Sequence, residues 1–480
     1  MLVHPSSFIR NYKELSVPKK AAIWYTLCNI MQKGIAFLVV PIYVRFLSTT
    51  EYGQYSIFQS WCNVIAIFAT MCLHNGVYTK AMVDYSEDRD RYTSSMQALS
   101  TITTTLLFAL YCITDEVWEK YLEMSTFTIY LMFLYFVTFP GFSFWSVRQR
   151  VENKYRIMVA LTLLQSFFTP AISLYLLFTT NLRANAVIWG FLISQILFGL
   201  YFYIIQFIKG RCFFHKAYWF HAIRFNLPLI PHYLSLIVLG QIDRILIGNI
   251  NGKDKAGIYS LAYQVAMVIS IFVQGINNAF VPWIYEKFKN KDFESIRNQT
   301  KVLCIVVGSI VFLYMLIAPE IVMIMGTQEY MEAIWVIPAA TLSVYITFCY
   351  GLYASVEFYY NATTSVMIAT TSGAVLSFLM NLFLLPRFGF ISAGYTSLTC
   401  YVFFMMMHYI FQRRICQEIL HVGNVFDNRF IIISCVFLLL SMMICLLLYN
   451  ITIIRYGTII FVAILLVVNR EKIISVIKVK

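Results

Sequence analysis

The sequence predicts an all-α polytopic membrane bundle of about 14 transmembrane helices, with two parallel six-helix lobes followed by two C-terminal helices. The first observation behind this prediction is composition: 60% of the 480 residues are hydrophobic and only 12% are charged, against roughly 25% charged residues in soluble domains. The second is that apolar runs of about 20 residues, each long enough to cross a bilayer as a helix, recur along nearly the whole chain. The third is an internal repeat at an offset of 204 residues.

The predicted segments follow one another with short connections. A cytoplasmic tail (1–20) precedes the first lobe (21–210), the second lobe (225–413), two further helices (428–470) and a second cytoplasmic tail (471–480). The N-terminal segment has no apolar core or small-residue cleavage site, so no removable signal peptide is expected. The 14 spans are predicted to begin near Ala21, Tyr55, Met96, Thr126, Ile157, Ala186, Leu227, Ala256, Val302, Trp335, Ser365, Gly389, Arg429 and Ile453.

The positive charge is distributed unevenly over this topology. Most of the 36 lysines and arginines fall in the two tails and in the loops on the same side of the membrane. Such an excess marks the cytoplasmic side, so both termini are expected there. We therefore attribute the net charge of +13 to membrane topology, and no nucleic-acid partner is expected.

Motifs of soluble enzymes are not evident in the sequence. The 11 cysteines fall mostly in apolar runs, where they are expected to behave as small hydrophobic residues and not as a disulfide framework. The 7 histidines are scattered, and neither a metal-binding spacing nor a glycine-rich phosphate loop is present. We expect no catalytic site, no metal and no cofactor.

The internal repeat relates equivalent turns of the two lobes. Because each copy contains six spans, an even number, the second copy keeps the orientation of the first, as in parallel repeats related by an axis along the membrane normal. Transporters with such repeats place the substrate path between them. Three of the matched pairs lie near one predicted turn: Gly53/Gly257, Tyr55/Tyr259 and Ser56/Ser260.

The first span carries a polar stripe that includes a lysine. Tyr25, Asn29, Gln32 and Lys33 follow helical spacing and share one face. Lys33 lies about 18 Å along the predicted helix, close to mid-membrane. A lysine there costs at least about 2.5 kcal/mol unless it meets water, a partner or a substrate. Lys33, Asn29 and Gln32 are therefore candidate substrate-path residues.

The seventh span contains an adjacent acid and base, Asp243 and Arg244. Adjacent helix residues do not face each other, so each is expected to contact another helix or water. His232 shares nearly the same face as Asp243. Two interpretations stay open: the pair fixes neighbouring helices, or it lines a hydrated cavity in which Arg244 contacts an anionic substrate and Asp243 positions it or exchanges a cation.

Spans two and eight carry further polar residues at matched positions. Their side chains suit a hydrogen-bonding path for a polar substrate, and equally suit interhelical hydrogen bonds. The candidates are Gln59, Asn63, Gln274, Asn277 and Asn278.

Four segments resemble one family of membrane proteins. These are "PIYVRFLSTTEYGQYSIFQS" from Pro41, "DRILIGNINGKDKAGIYSLAYQV" from Asp243, "APEIVMIMGTQEYMEAIWVIP" from Ala318 and "NLFLLPRFGFISAGYTSL" from Asn381. In this order they resemble the bacterial oligosaccharide repeat-unit flippases, the O-antigen and capsule translocases of the multidrug/oligosaccharidyl-lipid/polysaccharide exporter superfamily. The motif positions that carry over are Arg45, Asp243 and Arg244.

The resemblance implies a function and a location. It implies that the chain moves undecaprenyl-diphosphate-linked oligosaccharide repeat units from the inner to the outer leaflet of the bacterial cytoplasmic membrane by alternating access. A proton or sodium gradient is a candidate driving force, and the polymerase and chain-length proteins of the same pathway are candidate partners of a monomeric protein. The alternatives are a drug/cation or small-molecule antiporter of the same superfamily and a membrane polysaccharide polymerase; the short outer loops argue against the latter.

Overall fold

The computed structural model describes residues 14–360 and 362–468. Within that range the chain is built of α-helices joined by turns and two 3-10 segments, Leu227–Leu229 and Gln328–Trp335. The predicted C-terminal tail (471–480) and most of the predicted N-terminal tail lie outside the described residues. The helices are α1 (Val17–Phe46), α2 (Thr49–Thr70), α3 (Val77–Asp84), α4 (Arg89–Ile113), α5 (Asp115–Leu122), α6 (Thr126–Val151), α7 (Tyr155–Thr179), α8 (Ala184–Gly210), α9 (Lys216–Asn226), α10 (Ile230–Ile250), α11 (Lys253–Lys289), α12 (Phe293–Leu316), α13 (Ala318–Met325), α14 (Ile337–Tyr359), α15 (Thr363–Phe388), α16 (Ile391–Glu418), α17 (Asn428–Leu448) and α18 (Thr452–Val468).

The predicted all-α membrane bundle is confirmed. Among the described residues, 11 helices are long and apolar enough to cross a membrane. Each of the 14 predicted spans lies on a separate helix, and the three outside the 11 are α2, α16 and α18. The first two carry polar residues that lower their mean hydropathy, and α18 has a described apolar stretch of only Thr452–Val462. The number 14 therefore stays a prediction.

The chain divides into two compact units. The first unit contains Met1–Val39 and Ile57–Leu234, and the second contains Val40–Ser56 and Ser235–Lys480. The turn between α1 and α2 therefore belongs to the second unit, although the sequence analysis assigned it to the first lobe. The predicted lobe boundaries stay a prediction.

Ion pairs between side chains connect two helices at one edge of the first unit. Arg148, near the end of α6, forms ion pairs with Asp90 in the first turn of α4 and with Glu152. Lys154 Nζ lies 2.6 Å from Glu152. Burial raises the pKa of the Glu152 carboxyl, but the hydrogen bonds from Arg148 and Lys154 outweigh burial and hold that pKa below its ordinary value. The network joins the start of α4 to the end of α6.

In the second unit, α2 and α11 cross at two glycines. A Cβ atom on Gly53 would lie 1.7 Å from the carbonyl oxygen of Lys253, and one on Gly257 would lie 2.1 Å from that of Thr49. Only glycine permits the two backbones to approach this closely, as in small-residue helix contacts within membranes. One turn further on, the Ser260 hydroxyl donates to the Ser56 hydroxyl at 2.8 Å.

This crossing brings together residues that the sequence repeat relates. Gly53 contacts Gly257, and Ser56 contacts Ser260, each at the 204-residue offset. At this crossing, the residues in contact are separated by the same 204 positions that relate the two copies of the sequence repeat.

Gly53→Ala is expected to destabilise the protein by about 1–3 kcal/mol, because the new methyl group has no space between the two backbones. Gly275→Ala is the matched control: Gly275 also lies within a helix, and nothing lies within 4 Å of its would-be Cβ. Thermal unfolding of both variants in lipid nanodiscs checks this. Equal unfolding temperatures for the two variants would contradict the close crossing.

Candidate functional site

Asp243 on α10 joins four helices of the second unit. Its side chain is 2% exposed, and both carboxylate oxygens accept hydrogen bonds. Tyr259 on α11 donates at 2.6 Å and Ser397 on α16 at 2.9 Å to one oxygen. Asn381 on α15 donates at 2.7 Å to the other. Asp243 thus contacts other helices and not its neighbour Arg244, as expected from helix geometry.

Asp243 and its three donors lie on two helical hairpins, α10–α11 and α15–α16, at similar distances from the hairpin tips. The turn between α10 and α11 contains Gly252 with φ of 107°, and the turn between α15 and α16 contains Gly389 with φ of 71°. Both glycines adopt backbone conformations that other residues avoid. Each side chain lies about two helical turns from the tip of its hairpin. Equal depth brings the carboxylate and its three donors together.

Arg244 is buried on an adjacent face of α10 and is 6% exposed. One guanidinium nitrogen donates to the Gly240 carbonyl at 2.7 Å and to the Gln241 side chain at 3.2 Å. The guanidinium lies over the ring of Tyr263, 4.6 Å from its centroid. A cation–π contact of this kind stabilises a desolvated cation by about 2 kcal/mol. Arg244 is therefore held without using a carboxylate as its hydrogen-bond partner.

A cavity of about 100 Å³ lies beside this cluster, between α11, α14 and α16. Most of its lining residues carry hydroxyl groups, but the surface that faces the cavity is mainly apolar, because several of these hydroxyls are bonded elsewhere. At roughly 30 Å³ per water it has room for about three waters. The hydroxyl-bearing lining residues are Tyr259, Tyr263, Ser270, Ser343, Thr347, Ser397 and Tyr401.

The predicted stripe of α1 lies in the first unit. Asn29 and Lys33 are exposed, whereas Gln32 is half-buried and donates to Ser166 on α7 at 3.2 Å. Gln32 thus makes an interhelical hydrogen bond. Lys33 and Asn29 lie on an exposed surface of the same helix.

Arg45 lies at the end of α1 and caps another helix. Its guanidinium donates to the carbonyl of Ile324 at 2.9 Å, in the last turn of α13. A cation at a helix C-terminus satisfies a free carbonyl and interacts favourably with the helix dipole. This contact gives Arg45 a structural role at the turn between α1 and α2.

The other predicted residues are spread over α2, α10 and α11. Four are half-buried, two on α2 and one each on α10 and α11, and two lie on an exposed part of α11. The half-buried residues are Gln59, Asn63, His232 and Asn277, and the exposed ones are Gln274 and Asn278.

Sequence reasoning missed the partners of the central pair. Tyr259, Asn381 and Ser397 were not predicted as site residues, yet all three lie within the segments that carry the family resemblance. They meet at Asp243, which begins the segment that contains Tyr259, whereas Asn381 and Ser397 lie in a different segment. This convergence could not be read from the segments individually, because nothing in a helical stripe specifies its partner helix. Glu357 and His408, a second buried polar pair, were also not predicted.

Solved structures with this fold are membrane transporters. Lipid II flippase MurJ in an inward closed conformation superposes with a TM-score of 0.66 at 15% identity, covering 94% of this chain and 100% of that one. A MOP superfamily transporter from Pyrococcus furiosus superposes with a TM-score of 0.56 at 13% identity, covering 83% and 96%. At these identities the likeness is one of fold. The chain therefore shares its fold with these multi-pass membrane transporters.

The sequence comparison narrows the class to a family. Residues 19–288 match the model of the polysaccharide biosynthesis protein family, and the chain belongs to that family. An Lsg-locus protein of Haemophilus influenzae is 26% identical over 286 residues, which are 57% of this chain and 67% of that protein.

Asp243→Ala and Asp243→Asn are expected to differ in stability. Alanine leaves three buried donors unpaired, each costing about 1–3 kcal/mol. Asparagine keeps an oxygen for Tyr259 and Ser397. The amide oxygen of Asn381 has no hydrogen-bond partner among the described residues, so a turn of this amide lets it accept a hydrogen bond from the new NH₂ group. Thermal unfolding in nanodiscs is expected to show a large loss for alanine and a small loss for asparagine. Similar losses would contradict the hydrogen-bonding role.

Proposed function

We propose that this protein flips undecaprenyl-diphosphate-linked oligosaccharide repeat units from the cytoplasmic to the outer leaflet of the bacterial cytoplasmic membrane, for synthesis of O-antigen or capsule. The observation that carries the proposal is membership of the polysaccharide biosynthesis protein family, with the family model matching residues 19–288. The transporter fold supports movement of a substrate across the membrane rather than its chemical conversion.

The chemistry of this substrate requires a protein path for its headgroup. The diphosphate is anionic and the sugars carry many hydroxyl groups, so transfer into hydrocarbon without compensating partners is unfavourable. The polyprenyl tail is apolar and stays in the bilayer. A flippase therefore supplies cations and hydrogen-bonding groups for the headgroup alone, by alternating access.

Lys33 and Arg244 are the proposed headgroup cations. Arg244 is buried and held by a tyrosine ring and neutral oxygens, so no carboxylate competes directly with a phosphate for its remaining donors. Lys33 is exposed on α1. Asp243, whose oxygens already accept three hydrogen bonds, is proposed to position α10 and thereby Arg244.

The remaining proposed path residues are neutral and polar. Their amide and imidazole groups would exchange hydrogen bonds with the sugar hydroxyls as water is displaced. This set contains Asn29, Gln32, Gln59, Asn63, His232, Gln274, Asn277 and Asn278. A proton or sodium gradient is proposed to drive the cycle, with both termini in the cytoplasm and the pathway's polymerase and chain-length proteins as partners.

A drug or cation antiporter of the same superfamily is the second candidate, favoured by the fold shared with such transporters. A cation site needs an acidic group available to the substrate. Asp243 is occupied by three donors, and Glu357 is paired with His408. These contacts favour the anionic substrate.

Loss of the protein is expected to trap lipid-linked repeat units on the cytoplasmic face. The test uses a bacterial strain that lacks its own repeat-unit flippase and measures whether accumulated repeat units are accessible to a membrane-impermeant lectin in intact cells. Expression of this chain is expected to restore accessibility and polymer. Repeat units that stay inaccessible to the lectin when this chain is present in the membrane would contradict the proposal.

Lys33→Ala and Arg244→Ala are each expected to reduce polymer export in that strain by at least about tenfold, since loss of a charge-assisted hydrogen bond costs about 1.5–3 kcal/mol. Lys19→Ala, at the start of the same helix as Lys33, is the control and is expected to export normally. Arg244→Lys keeps the charge without the planar contact to Tyr263 and is expected to be intermediate. Membrane levels are measured by immunoblot, and normal export by both alanine variants would overturn the assignment.

A further inference from the structure

A second ionisable pair is buried in the second unit. Glu357 on α14 is 0% exposed and His408 on α16 is 1% exposed. The imidazole Nδ1 lies 2.7 Å from one carboxylate oxygen, Oε1. The other oxygen, Oε2, has no hydrogen-bond partner among the described residues. The path proposed above uses neither residue.

Aromatic rings enclose the imidazole. Tyr350 stacks on His408 with centroids 5.3 Å apart at 14°, and Phe404 contacts its edge at 6.4 Å. Phe404 is itself held against α15, where a Cβ atom on Gly373 would lie 1.8 Å from its ring. The pair is therefore shielded from water and held in place by rigid side chains.

The pair has little charge around it within the described residues. His408 is the ionisable group in contact with Glu357. The neighbouring titratable groups are Tyr350, whose ring stacks on the imidazole, and Cys416, whose thiol donates to Gln412.

Among the residues that the structure describes, the helices packed on α14 and α16 place no further charged side chain against the pair. The basic residue of α15, Arg387, lies at the far end of that helix. From α11, Tyr285 reaches Tyr359. From α12 and α17, Cys304 and Cys435 reach Cys349, about two turns from Glu357.

A pair in this setting holds one proton between its two facing atoms, Nδ1 and Oε1, while it is enclosed. With Nε2 also protonated the pair then has no net charge, whichever of the two facing atoms carries the shared proton. Removing that proton leaves a buried anion, and adding another leaves a buried cation. Either state is strongly disfavoured without a third charge or water. Hydration of the pair would remove this constraint, so proton release depends on whether the helices around it open.

We propose that Glu357 and His408 form the proton-binding site through which a proton gradient drives the transport cycle; the inference rests on the proposed function and names its coupling ion. The pair binds one proton when α14 and α16 enclose it. It releases the proton when the end of α14 opens to the cytoplasm. Because the enclosed conformation binds the proton more tightly than the open one, protonation shifts the population toward the enclosed conformation.

Helix α16 connects the Glu357–His408 pair to the Asp243 cluster. Ser397, Tyr401, Phe404 and His408 recur at helical spacing and share one face. Ser397 donates to Asp243, and His408 contacts Glu357. The two buried carboxylates are thus connected by one face of a single helix, about 16 Å apart along its axis. A movement of α16 therefore affects both sites.

Proton binding is tested first, on purified protein in nanodiscs. Infrared difference spectroscopy between about pH 5 and 8 is expected to show a carboxyl group that changes protonation in the wild type. Glu357→Gln is expected to remove this signal, and His408→Gln to displace its midpoint. Tyr350→Phe keeps the stacked ring and is expected to leave the signal unchanged. A wild-type signal that Glu357→Gln retains would overturn the assignment.

Coupling is tested in proteoliposomes with a fluorescent short-chain polyprenyl-diphosphate disaccharide as the probe. One coupled proton is expected to shift the steady-state leaflet distribution of the probe roughly tenfold per pH unit across the membrane. Glu357→Gln and His408→Gln are expected to flip the probe at equal rates with and without the gradient. If Glu357→Gln does not fold, His408→Gln, which retains the carboxylate, gives the same comparison.

The outcomes separate this inference from the proposed function. Flipping by the wild type without any response to the pH gradient would overturn the coupling inference and leave the flippase proposal intact. A titrating Glu357 without probe flipping would support proton binding and contradict the flippase proposal. A gradient response retained by both variants would show that another group carries the proton.

Discussion

An ionic group inside a bilayer persists only where the protein supplies its partners, and this constraint governs the centre of the second unit. Asp243 receives donors from three other helices, and Arg244 is held by neutral oxygens and a tyrosine ring. Removal of any donor would leave a buried charge less satisfied. The pair therefore fixes the relative positions of α10, α11, α15 and α16, and two of these helices, α11 and α16, line the adjacent cavity.

The repeat explains how the chain achieves a tight helix crossing with few residue types. The same glycine and serine positions occur in both copies, and in the structure each contacts its own counterpart. Glycine removes the steric barrier, and the serine hydroxyls supply a hydrogen bond that needs no water. A single local sequence used twice thus produces both sides of one contact.

Much of the fold could be predicted from the sequence, because the lengths of the apolar runs and the distribution of lysine and arginine between them can be read without knowing the packing. Each predicted span lies on a helix, and the 204-residue offset is that of the Ser56–Ser260 contact. The partners of Asp243 could not be derived, since Asn381 and Ser397 are 138 and 154 residues away. Helical periodicity places Asp243 on a face but does not identify the helix opposite. Glu357 was missed for the same reason: it lies near the end of α14, and its burial depends on packing with α16.

The central claim is that cations within the membrane-spanning helices are retained to hold an anionic headgroup. A structure of the protein in nanodiscs with bound undecaprenyl-diphosphate-linked oligosaccharide tests it most directly. The account predicts that the diphosphate oxygens lie within hydrogen-bond distance of the Lys33 ammonium or the Arg244 guanidinium, with the tail in lipid. A headgroup bound away from both cations, with Arg244 still confined to Gly240, Gln241 and Tyr263, would contradict it.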